Sequence, residues 1–471
     1  MTLPEHEARV AHDLACLDFG KPDWTRPRAH PDGHVHDVII VGGGQSGLGA
    51  AFGLLRERVS NILVLDENPA GYEGPWDTYA RMVTLRTPKT ITSIDLGIPS
   101  LTFQAYWEAA HGAASWEAID KIPRRDWMDY LRWYRRVLAL PVRNGAKVAR
   151  IEPLPDERLH RVHLAGGEGL LARKVVLATG IQGGGEWHMP AMIAGKLPRA
   201  RYAHTSEAID FAALRGKRIA VLGGGASAFD NAQHALADGA AEAHVFVRRK
   251  ALPTVNPIRF MEGAGLIPRF PALGDADKYR LMADFFSRNQ PPTNDTFERA
   301  ARWPGFRLHL GAPWLDVAEE GGDVVVTTPQ GRLPFDFLIL STGLVTDSAL
   351  RPELAGLADR IARWGDRFAA PDASPVIDAH PYLGPGFQYL PRDPADAALL
   401  HGLFAFNYSG LISLGLSASA LSGLKQALPR LVAGVADQLF MDDKDAMIAD
   451  YMAYAEPEFV GQWPARPESA A

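Results

Sequence analysis

Two glycine-rich segments combine residue types and spacing that suit a dinucleotide. The first, HDVIIVGGGQSGLGAAFGLL, places Gly42, Gly44 and Gly47 in the spacing G-x-G-x-x-G between an apolar strand and a helix. Glycines in this spacing allow a tight turn, close approach of the backbone to a pyrophosphate, and close packing of the helix on the strand. The first turn of the helix offers free N–H groups to phosphate oxygens. We therefore predict a dinucleotide cradle, with Gln45 and Ser46 inside its turn.

Acidic residues follow the next apolar run along the chain. In NILVLDEN the strand ends at Asp66, and Glu67 stands beside it. A carboxylate at this position accepts a hydrogen bond from a free ribose 2′-hydroxyl and repels a 2′-phosphate. The pattern predicts that the first cradle holds FAD or NAD rather than NADP.

A second glycine turn, in GKRIAVLGGGASAFDNA, repeats this arrangement with one change. Gly223 and Gly225 are present, Ala226 and Ser227 follow them, and Ala228 replaces the third glycine. An alanine there opens the packing of helix and strand only slightly. The segment predicts a second cradle, in which Ser227 reaches the pyrophosphate.

The residues after the following strand distinguish the two cradles. VFVRRK places Arg248 and Arg249 where the first cradle has its acids. Guanidinium groups form paired hydrogen bonds with a phosphate dianion, which favours NADPH. The alternative is a solvated basic strand end. Opposite charges after the two turns predict FAD and NADPH in separate pockets, with electron transfer between them.

Composition narrows the remaining classes of protein. The chain has 471 residues, of which 47% are hydrophobic and 22% charged, and its formal net charge is −6. These values fit globular domains with a sizeable core and predict no nucleic-acid partner. Cys16 is the one cysteine, so a disulfide, a redox dithiol and a cysteine metal site cannot form within the chain. A flavin disulfide reductase is thereby excluded, and no metal site is predicted.

The sequence predicts a cytoplasmic protein without a membrane partner. Its first segment, MTLPEHEARVAHDLACLDFG, has early acids and no apolar core, unlike a secretory signal. The uncharged stretch 402–424 is long enough to span a bilayer. Its Asn407, Tyr408, serines and glycines instead favour a buried loop and helix.

The order of apolar runs and turns predicts an α/β fold. It contains two Rossmann-like dinucleotide-binding domains, with the NADPH domain inserted in the FAD domain. Segment 251–310 shows little strand character and is expected to add helices on the substrate side. The predicted division is an N-terminal extension (1–35), a first part of the FAD-binding domain (36–205), the NADPH-binding domain (206–340), and a second part of the FAD-binding domain with C-terminal helices (341–471).

One further helix is predicted from periodicity. Trp127, Tyr130, Leu131 and Tyr134 recur at i, i+3, i+4 and i+7, the spacing of a single helix face. Core packing explains such an aromatic face better than a ligand does.

Beyond the two turns, the sequence resembles the class B flavin-dependent monooxygenases. This family includes flavin-containing monooxygenases, Baeyer–Villiger enzymes and N-hydroxylases of amino acids and amines. The likeness covers most of 36–425 and rests on LVLDENPAGYEGPWDTYARMVTLRTPK, NGAKVARIEPL, VVLATG, LILSTGLVTD and FAFNYSGLISLG. By this match, further cofactor-binding positions are Gly74, Trp76, Thr87, Val148, Thr179, Gly180, Thr342, Gly343 and Leu411.

Three residues are candidates for contact with nicotinamide or substrate. The family fingerprint Phe-x-Gly-x-x-x-His appears here as LPRARYAHTSEAIDF, in which His204 matches but Phe and Gly are absent. This departure favours the N-hydroxylating branch. Asn407 either bonds flavin or substrate or caps the following helix, and Asn256 either lines the substrate mouth or occupies a turn.

The resemblance implies an NADPH-dependent FAD monooxygenase. Reduced flavin and O2 would form a C4a-(hydro)peroxyflavin that transfers one oxygen atom to a small organic substrate. A helix starting near Leu411 would direct its N-terminus at the negative charge of the reduced flavin. N-hydroxylation of an amine or amino acid is favoured. Baeyer–Villiger or sulfur oxygenation, an NADPH-dependent flavin oxidase or reductase, and a non-enzymatic NADPH sensor are alternatives, and a homo-oligomer is left open.

Overall fold

The computed structural model describes residues 1–90, 93–418 and 420–463. The end of the last predicted domain, 464–471, lies outside the described residues. The helices in chain order are α1 (Leu3–Cys16), α2 (Gln45–Arg56), α3 (Phe103–His111), α4 (Ala113–Ala118), α5 (Arg124–Val137), α6 (Ala191–Ala194), α7 (Ala226–Ala237), α8 (Pro257–Gly263), α9 (Leu266–Arg269), α10 (Asp275–Arg288), α11 (Asn294–Ala301), α12 (Trp364–Arg367), α13 (Pro375–Asp378), α14 (Ala397–Leu400), α15 (Leu411–Leu414) and α16 (Leu421–Ala453).

The strands form two main sheets and two small ones. They are β1 (Ala29–His30), β2 (Gly33–Val41), β3 (Ile62–Leu65), β4 (Val142–Arg143), β5 (Val148–Leu154), β6 (Leu159–Leu164), β7 (Gly169–Leu177), β8 (Gly185–Trp187), β9 (Tyr202–His204), β10 (Arg218–Leu222), β11 (Glu242–Val247), β12 (Phe306–Leu310), β13 (Asp316–Glu320), β14 (Asp323–Thr328), β15 (Gly331–Phe335), β16 (Phe337–Leu340), β17 (Leu344–Thr346) and β18 (Leu403–Phe404).

The first sheet is parallel at its centre. Its order is β4-β3-β2-β7, with β18 beside the end of β7 and the antiparallel strands β6 and β5 beyond its start. Ile40 on β2 is aligned with Val64 on β3 and Val176 on β7, and all three side chains are 0% exposed. A strand buried on both faces reads as a continuous apolar run, as VIIV does here. We call this sheet and the elements packed on it the first unit.

Helices α2 and α16 cover one face of the first sheet. Two glycines of α2 bring the helices together, because a Cβ on Gly49 or Gly53 would lie 2.7 Å from Leu428 or 2.5 Å from Val432. The predicted aromatic helix is α5, and its four face residues are no more than 3% exposed. The core-packing interpretation of that face is confirmed.

The second sheet is entirely parallel, in the order β12-β11-β10-β16-β9. Helices α7 and α11 pack on one face, and the antiparallel sheet β13-β14-β15 lies toward the other. We call this sheet and its covering elements the second unit. Together the two units confirm the predicted α/β fold with two Rossmann-like parts. The exact domain division stays a prediction, and the second sheet begins at Tyr202, before the predicted boundary at 206.

Segment 251–310 is mainly helical, as predicted, but it divides between the two units. Helices α8–α10 share an apolar cluster with the C-terminal part of the first unit, including Phe270, Met282, Trp364, Ile377 and Leu411. Helix α11 instead packs on α7. The expectation of little strand character was wrong at 306–310, because β12 pairs with β11 and completes the edge of the second sheet.

The N-terminal extension is more ordered than its composition indicated. It contains α1, whose residues His6, Val10 and Leu14 are buried against the core of the first unit. The backbone N–H of Thr2 donates to the Glu5 carboxylate at 2.7 Å, a helix-start pattern in which Glu follows Thr by three residues.

The uncharged stretch at 402–424 forms β18, a short turn, α15 and the start of α16. Its residues are largely buried, so the predicted buried loop and helix is confirmed. Within the described residues, no helix combines the length and apolar character that a membrane crossing needs.

Candidate active site

The first glycine turn lies between β2 and α2. Gly42 has φ +107°, and a Cβ there would lie 2.5 Å from the carbonyl oxygen of Ala178. A Cβ on Gly47 would lie 1.8 Å from the carbonyl oxygen of Gly42, so helix and strand are closer than a side chain permits. A Cβ on Gly44 would have the Cα of Gly74 as its nearest neighbour, at 3.7 Å. This is the geometry that a pyrophosphate cradle needs.

The two acids after β3 have different surroundings. Asp66 is buried, and its carboxylate accepts hydrogen bonds from the backbone N–H of Gly43 at 2.7 Å and of Asn68 at 2.8 Å. Burial raises the pKa of Asp66 above its usual value, while those N–H groups oppose the shift. Glu67 is half-exposed and pairs with Lys147 at 3.0 Å. Asp66 therefore holds the turn in place, and Glu67 is the more open of the two acids.

The predicted flavin-side residues border the same space. Gln45 accepts a hydrogen bond from the indole N–H of Trp127 at 3.1 Å, and the Ser46 hydroxyl donates to the carbonyl of Ala418 at 3.4 Å. Trp76 is 9% exposed and packs edge-on against Trp127, with its own indole N–H buried and unpaired among the described residues. Side chains fixed in this way form a rigid wall. Gly74, Thr87 and Val148 also border the space.

Asn407 joins two turns of the first unit. Its amide group donates to the carbonyl of Leu177 at 3.3 Å and to the hydroxyl of Thr179 at 3.2 Å. Its side-chain oxygen accepts from the backbone N–H and hydroxyl of Ser409 at 3.0 and 2.7 Å. The side chain is therefore occupied, and it does not border the cavity described below. The capping alternative agrees with these contacts, and a direct catalytic contact does not.

The second glycine turn is more open than the first. Gly223 has φ +131°, and a Cβ there would lie 2.3 Å from the carbonyl oxygen of Ser341, whereas Gly225 has no heavy atom within 4 Å of such a Cβ. Ala228 fits at the third position and is fully buried. Ala226 and Ser227 form the first turn of α7, where unpaired N–H groups face the cavity.

The two arginines after β11 also differ. Arg249 donates to the carbonyls of Ser287 at 2.8 Å and Arg288 at 3.2 Å, which ties it to the end of α10. Arg248 is exposed, and the described residues provide no hydrogen bond or ion pair to its guanidinium. Both border the cavity, so Arg248 is the guanidinium available to a 2′-phosphate.

His204 forms part of an aromatic wall. Its ring stacks on Trp187 with centroids 5.1 Å apart. The backbone N–H of Ser206 donates to Nδ1 at 3.2 Å, so Nδ1 is the acceptor nitrogen. Burial lowers the pKa of His204 to about 4. The imidazole is neutral near pH 7, which suits a wall beside the nicotinamide better than a proton donor.

The substrate side is built mainly by the helical segment. The side-chain oxygen of Asn256 accepts from the N–H of Ile258 at 3.1 Å and caps α8, and Asn256 borders the cavity. Leu411 borders the cavity as predicted, but the helix that starts there, α15, has only four residues. The long helix begins at Leu421, which also borders the cavity. A helix therefore starts at Leu411 as predicted, but Gly415 ends it after about one turn.

One cavity of about 1900 Å³ joins these features. Both glycine turns, the acidic and basic strand ends, and the two crossover turns at Thr179–Gly180 and Thr342–Gly343 border it. Of the predicted site residues only Gly47 and Asn407 do not. The cavity suits two dinucleotides, because the glycine backbone of both turns borders it. No cluster of three or more His, Cys, Asp or Glu side chains suited to a metal occurs in the described ranges.

An ion pair between Arg86 and Asp230 was missed by the sequence analysis. Both residues border the cavity, and the Asp230 side chain is 7% exposed. The available signal was an acid one turn inside helix α7, between the apolar residues Phe229 and Ala232. Its partner lies 144 residues earlier in the chain, beyond the reach of any local pattern.

Two family models match the chain. One, described as FAD-NAD(P)-binding, matches residues 39–182. The other, described as L-lysine 6-monooxygenase/L-ornithine 5-monooxygenase, matches residues 114–263. The first covers the predicted FAD cradle, and the second ends beyond the basic strand end of the second cradle.

Solved structures share the fold. The ornithine hydroxylase of Pseudomonas aeruginosa is 21% identical, covers 86% of this chain and 100% of its own, and has a TM-score of 0.67. The L-lysine 6-monooxygenase of Pseudomonas syringae is 19% identical, with 86% and 99% covered and a TM-score of 0.66. At this identity the likeness concerns the arrangement of the two units.

A curated relative matches the whole chain. The FAD-dependent urate hydroxylase of Xanthomonas campestris pv. campestris is 66% identical over 473 residues, which cover 100% of both chains. With the family models, this match confirms the predicted oxidoreductase class, FAD as a cofactor and an NAD(P)-binding fold. Because the identity extends over both cradles and everything between them, the protein belongs to the flavin-dependent monooxygenases, in the family of that urate hydroxylase.

Proposed function

We propose that this protein hydroxylates urate with O2, using bound FAD and NADPH as the electron donor. The observation that carries the proposal is the 66% identity to a urate hydroxylase across the full length. The cavity supports it, since a single space borders both cradles and the helical segment. A substrate bound in this cavity would lie close to both FAD and NADPH.

The overall reaction balances as a monooxygenation. One oxygen atom of O2 enters the substrate as a hydroxyl group, and the other leaves as water. NADPH provides the two electrons as hydride, and one proton is taken up. Bound FAD supplies the redox chemistry that passes these electrons to O2.

The protein's own residues bind and orient the two nucleotides. The turn at Gly42–Gly44 and the start of α2 suit the FAD pyrophosphate, with the turn fixed by Asp66. The turn at Gly223–Gly225 and the start of α7 suit that of NADPH. The buried Trp76 and the partly exposed Trp187 add aromatic walls that limit the access of water to the space between them.

The substrate end of the cavity has groups that suit a planar, polar purine. Phe285 and Phe286 provide aromatic faces for stacking. Asn256 and Gln290 provide amide groups for ring N–H and carbonyl groups. We infer that the urate ring lies between these aromatic and polar side chains.

N-hydroxylation of an amine or amino acid is a second candidate. It is favoured by the lysine and ornithine monooxygenase model over residues 114–263. An amino-acid substrate presents an ammonium and a carboxylate at opposite ends, whereas urate presents neither. Substrate competition therefore distinguishes the two.

The test compares urate with L-ornithine, L-lysine and cadaverine on the purified FAD-bound enzyme. We expect urate alone to accelerate NADPH oxidation, with one atom of ¹⁸O₂ found in the product by mass spectrometry and little peroxide released. Asn256→Asp should raise the KM for urate, because it removes the amide donor from the cavity lining but keeps an oxygen that accepts from the N–H of Ile258 and caps α8.

Oxygen incorporation into an amine substrate, without any into urate, would establish N-hydroxylation and reject the urate proposal. Stoichiometric peroxide with every substrate would instead identify a flavin oxidase.

A further inference from the structure

The first and second units meet along a polar seam. From the first unit, Arg86 and Lys121 form ion pairs with Asp230 and Asp295 of the second. Arg81 adds a hydrogen bond to the carbonyl of Glu207 at 3.1 Å. Polar contacts of this kind depend on direction, so they set the relative orientation of the two units more narrowly than apolar contact does.

The Arg86–Asp230 pair lies at the cavity end of this seam. Arg86 is in the segment LRTPK, on the flavin side, directly after the buried Leu85. Asp230 is the fifth residue of α7, one turn beyond Ala226, where the helix starts at the second cradle. The pair thus connects the segment beside one nucleotide to the helix that faces the other.

The surroundings of Asp230 make this contact specific. Neighbouring Ala228, Phe229 and Ala232 on α7 are 0% exposed, and Asp230 is the acid among them. Burial raises the pKa of Asp230, and the Arg86 charge opposes that shift. An apolar residue would serve packing at least as well as a buried ion pair. The charge therefore points to a need for a defined geometry.

A second contact fixes the Arg86 backbone. Its carbonyl accepts a hydrogen bond from the guanidinium of Arg259 at 2.8 Å. Arg259 stands on α8, and its other terminal nitrogen pairs with Glu262 at 2.9 Å. Arg86, in the flavin-side segment, therefore contacts both the second cradle, through Asp230, and the substrate-side helix α8, through Arg259.

We propose that Arg86 and Asp230 form a positioning pair, which aligns the second cradle with the flavin side of the cavity for hydride transfer. The inference rests on the proposed use of NADPH and FAD, but not on urate as substrate. The pair acts through the placement of α7 and touches no reacting atom.

The other ion pair of the seam provides a control. Lys121 and Asp295 approach to 2.5 Å, and neither residue borders the cavity. Asp295 also pairs with Arg299 of its own helix at 3.3 Å. Lys121→Gln therefore removes a seam contact of the same type without changing the contact at the second cradle.

The experiment measures anaerobic flavin reduction by NADPH in stopped flow, with and without urate, and NADP+ binding by calorimetry. We expect Asp230→Asn and Arg86→Gln to lower the limiting rate of reduction by about 10- to 100-fold, with NADP+ affinity changed less than about threefold. The double variant should be no slower than the slower single variant. Arg86→Lys should recover part of the rate, and reoxidation of dithionite-reduced enzyme by O2 should match wild type.

Three results would overturn the proposal. These are an unchanged limiting rate in Asp230→Asn, an equal slowing in Lys121→Gln, or a loss confined to NADP+ affinity at an unchanged limiting rate. If Asp230→Asn does not fold with FAD, Arg86→Lys and Arg86→Gln decide the matter by the same measurements. Failure of NADPH to reduce the wild-type flavin would reject the proposed function itself, which keeps the two failures distinct.

Discussion

Adjacent residues of like charge have separate tasks at both strand ends that mark the nucleotides. Asp66 is buried and holds the first glycine turn, while Glu67 stands open at the cavity edge. Arg249 is bound to α10, while Arg248 is free to meet a ligand. In each pair one residue holds the local structure, and its more exposed neighbour borders the cavity.

Arg248 should determine the preference for NADPH over NADH. Arg248→Ala removes the guanidinium that faces the cavity without a protein partner among the described residues. Loss of a charged hydrogen bond corresponds to about a tenfold higher KM for NADPH, and the KM for NADH should stay the same. Steady-state kinetics with both nucleotides measures this ratio.

Lys250→Ala is the matched control, because Lys250 is exposed on the same turn but does not border the cavity. If Arg248→Ala and Lys250→Ala raise the KM for NADPH equally, Arg248 has no specific contact with the 2′-phosphate. The effect then comes from the general charge of the surface.

Sequence alone was informative at this scale where one residue type has one role. Gly42 is an example, because the structure gives it the positive φ that the glycine turn needs. It was less informative for Asn407, whose amide suits both a ligand and a cap. Its four hydrogen bonds involve three residues, and two of these, Leu177 and Thr179, lie at least 228 residues earlier in the chain, so only the fold shows that the side chain is occupied.

At the scale of elements, the two glycine turns differ in tolerance. Gly47→Ala would place a Cβ 1.8 Å from a backbone oxygen, which cannot shift without moving β2 or α2. We expect this variant to be purified largely without FAD and with a lower melting temperature. Absorbance at 450 nm relative to 280 nm reports the FAD content.

Gly225→Ala is the comparison, because no heavy atom lies within 4 Å of the added Cβ. It should keep its FAD and its melting temperature and lose affinity only for NADP+, since its Cβ points to the open cradle. Full FAD occupancy in Gly47→Ala would show that α2 can move away from β2.

The far part of α16 is fixed by buried charges. Lys174 is 0% exposed on its side chain and pairs with Asp442 at 2.7 Å, and His401 also donates to Asp442 at 2.9 Å. Burial alone would raise the pKa of Asp442, but His401 and Lys174 hold it below its usual range. Asp442→Ala leaves the Lys174 charge unpaired and should lower the free energy of unfolding by about 3–5 kcal/mol.

Urea unfolding followed by circular dichroism measures this loss. Lys444→Met, which removes an exposed pair with Asp445, should change the free energy of unfolding by less than about 1 kcal/mol. Similar losses in both variants would mean that burial does not distinguish these pairs.

Element prediction succeeded where a periodic pattern was long and failed where it was short. The aromatic face of α5 is visible in four residues over two helical turns. By contrast, the apolar–polar alternation of FRLHL covers only five residues, and its pairing with β11 makes it strand β12. The helix expected at Leu411 stops after four residues, and the long helix starts later, at Leu421.

For the whole molecule, buried histidines predict a loss of stability in mild acid. Burial lowers the pKa of His36, His160, His204 and His380 to about 4 each. Their unfolded pKa is about 6.5, so between these values the unfolded chain binds more protons. Stability is therefore complete above about pH 6.5 and falls as pH decreases, by at most about 1.4 kcal/mol per pH unit for each histidine.

Urea unfolding of the FAD-bound protein at pH 7 and at pH 5 tests the sign. His380 lies outside the cavity lining. His380→Gln should therefore make the free energy of unfolding less dependent on pH, by the contribution of one proton, without altering the FAD content. A stability that rises from pH 7 to pH 5 would contradict the assignment of these histidines as neutral.

The overall plan of two cradles was predictable because each carries its own local signature. Their mutual orientation was not, since it depends on contacts such as Arg86–Asp230 that join segments 144 residues apart. The division of 251–310 between the two units was not predictable either. Helices α10 and α11 pack in different units although only the five residues 289–293 separate them in the sequence.

Helix α16 connects the cavity to the buried ion pair between Lys174 and Asp442. Its first residues border the cavity, and Asp442 lies twenty-one residues later, about 30 Å along the axis at the usual rise. A chain cut just before Asp442 would keep every cavity-lining side chain. It would lose the buried ion pair with Lys174 that holds the helix in place. The ability to retain the yellow cofactor should then depend on residues that never approach it.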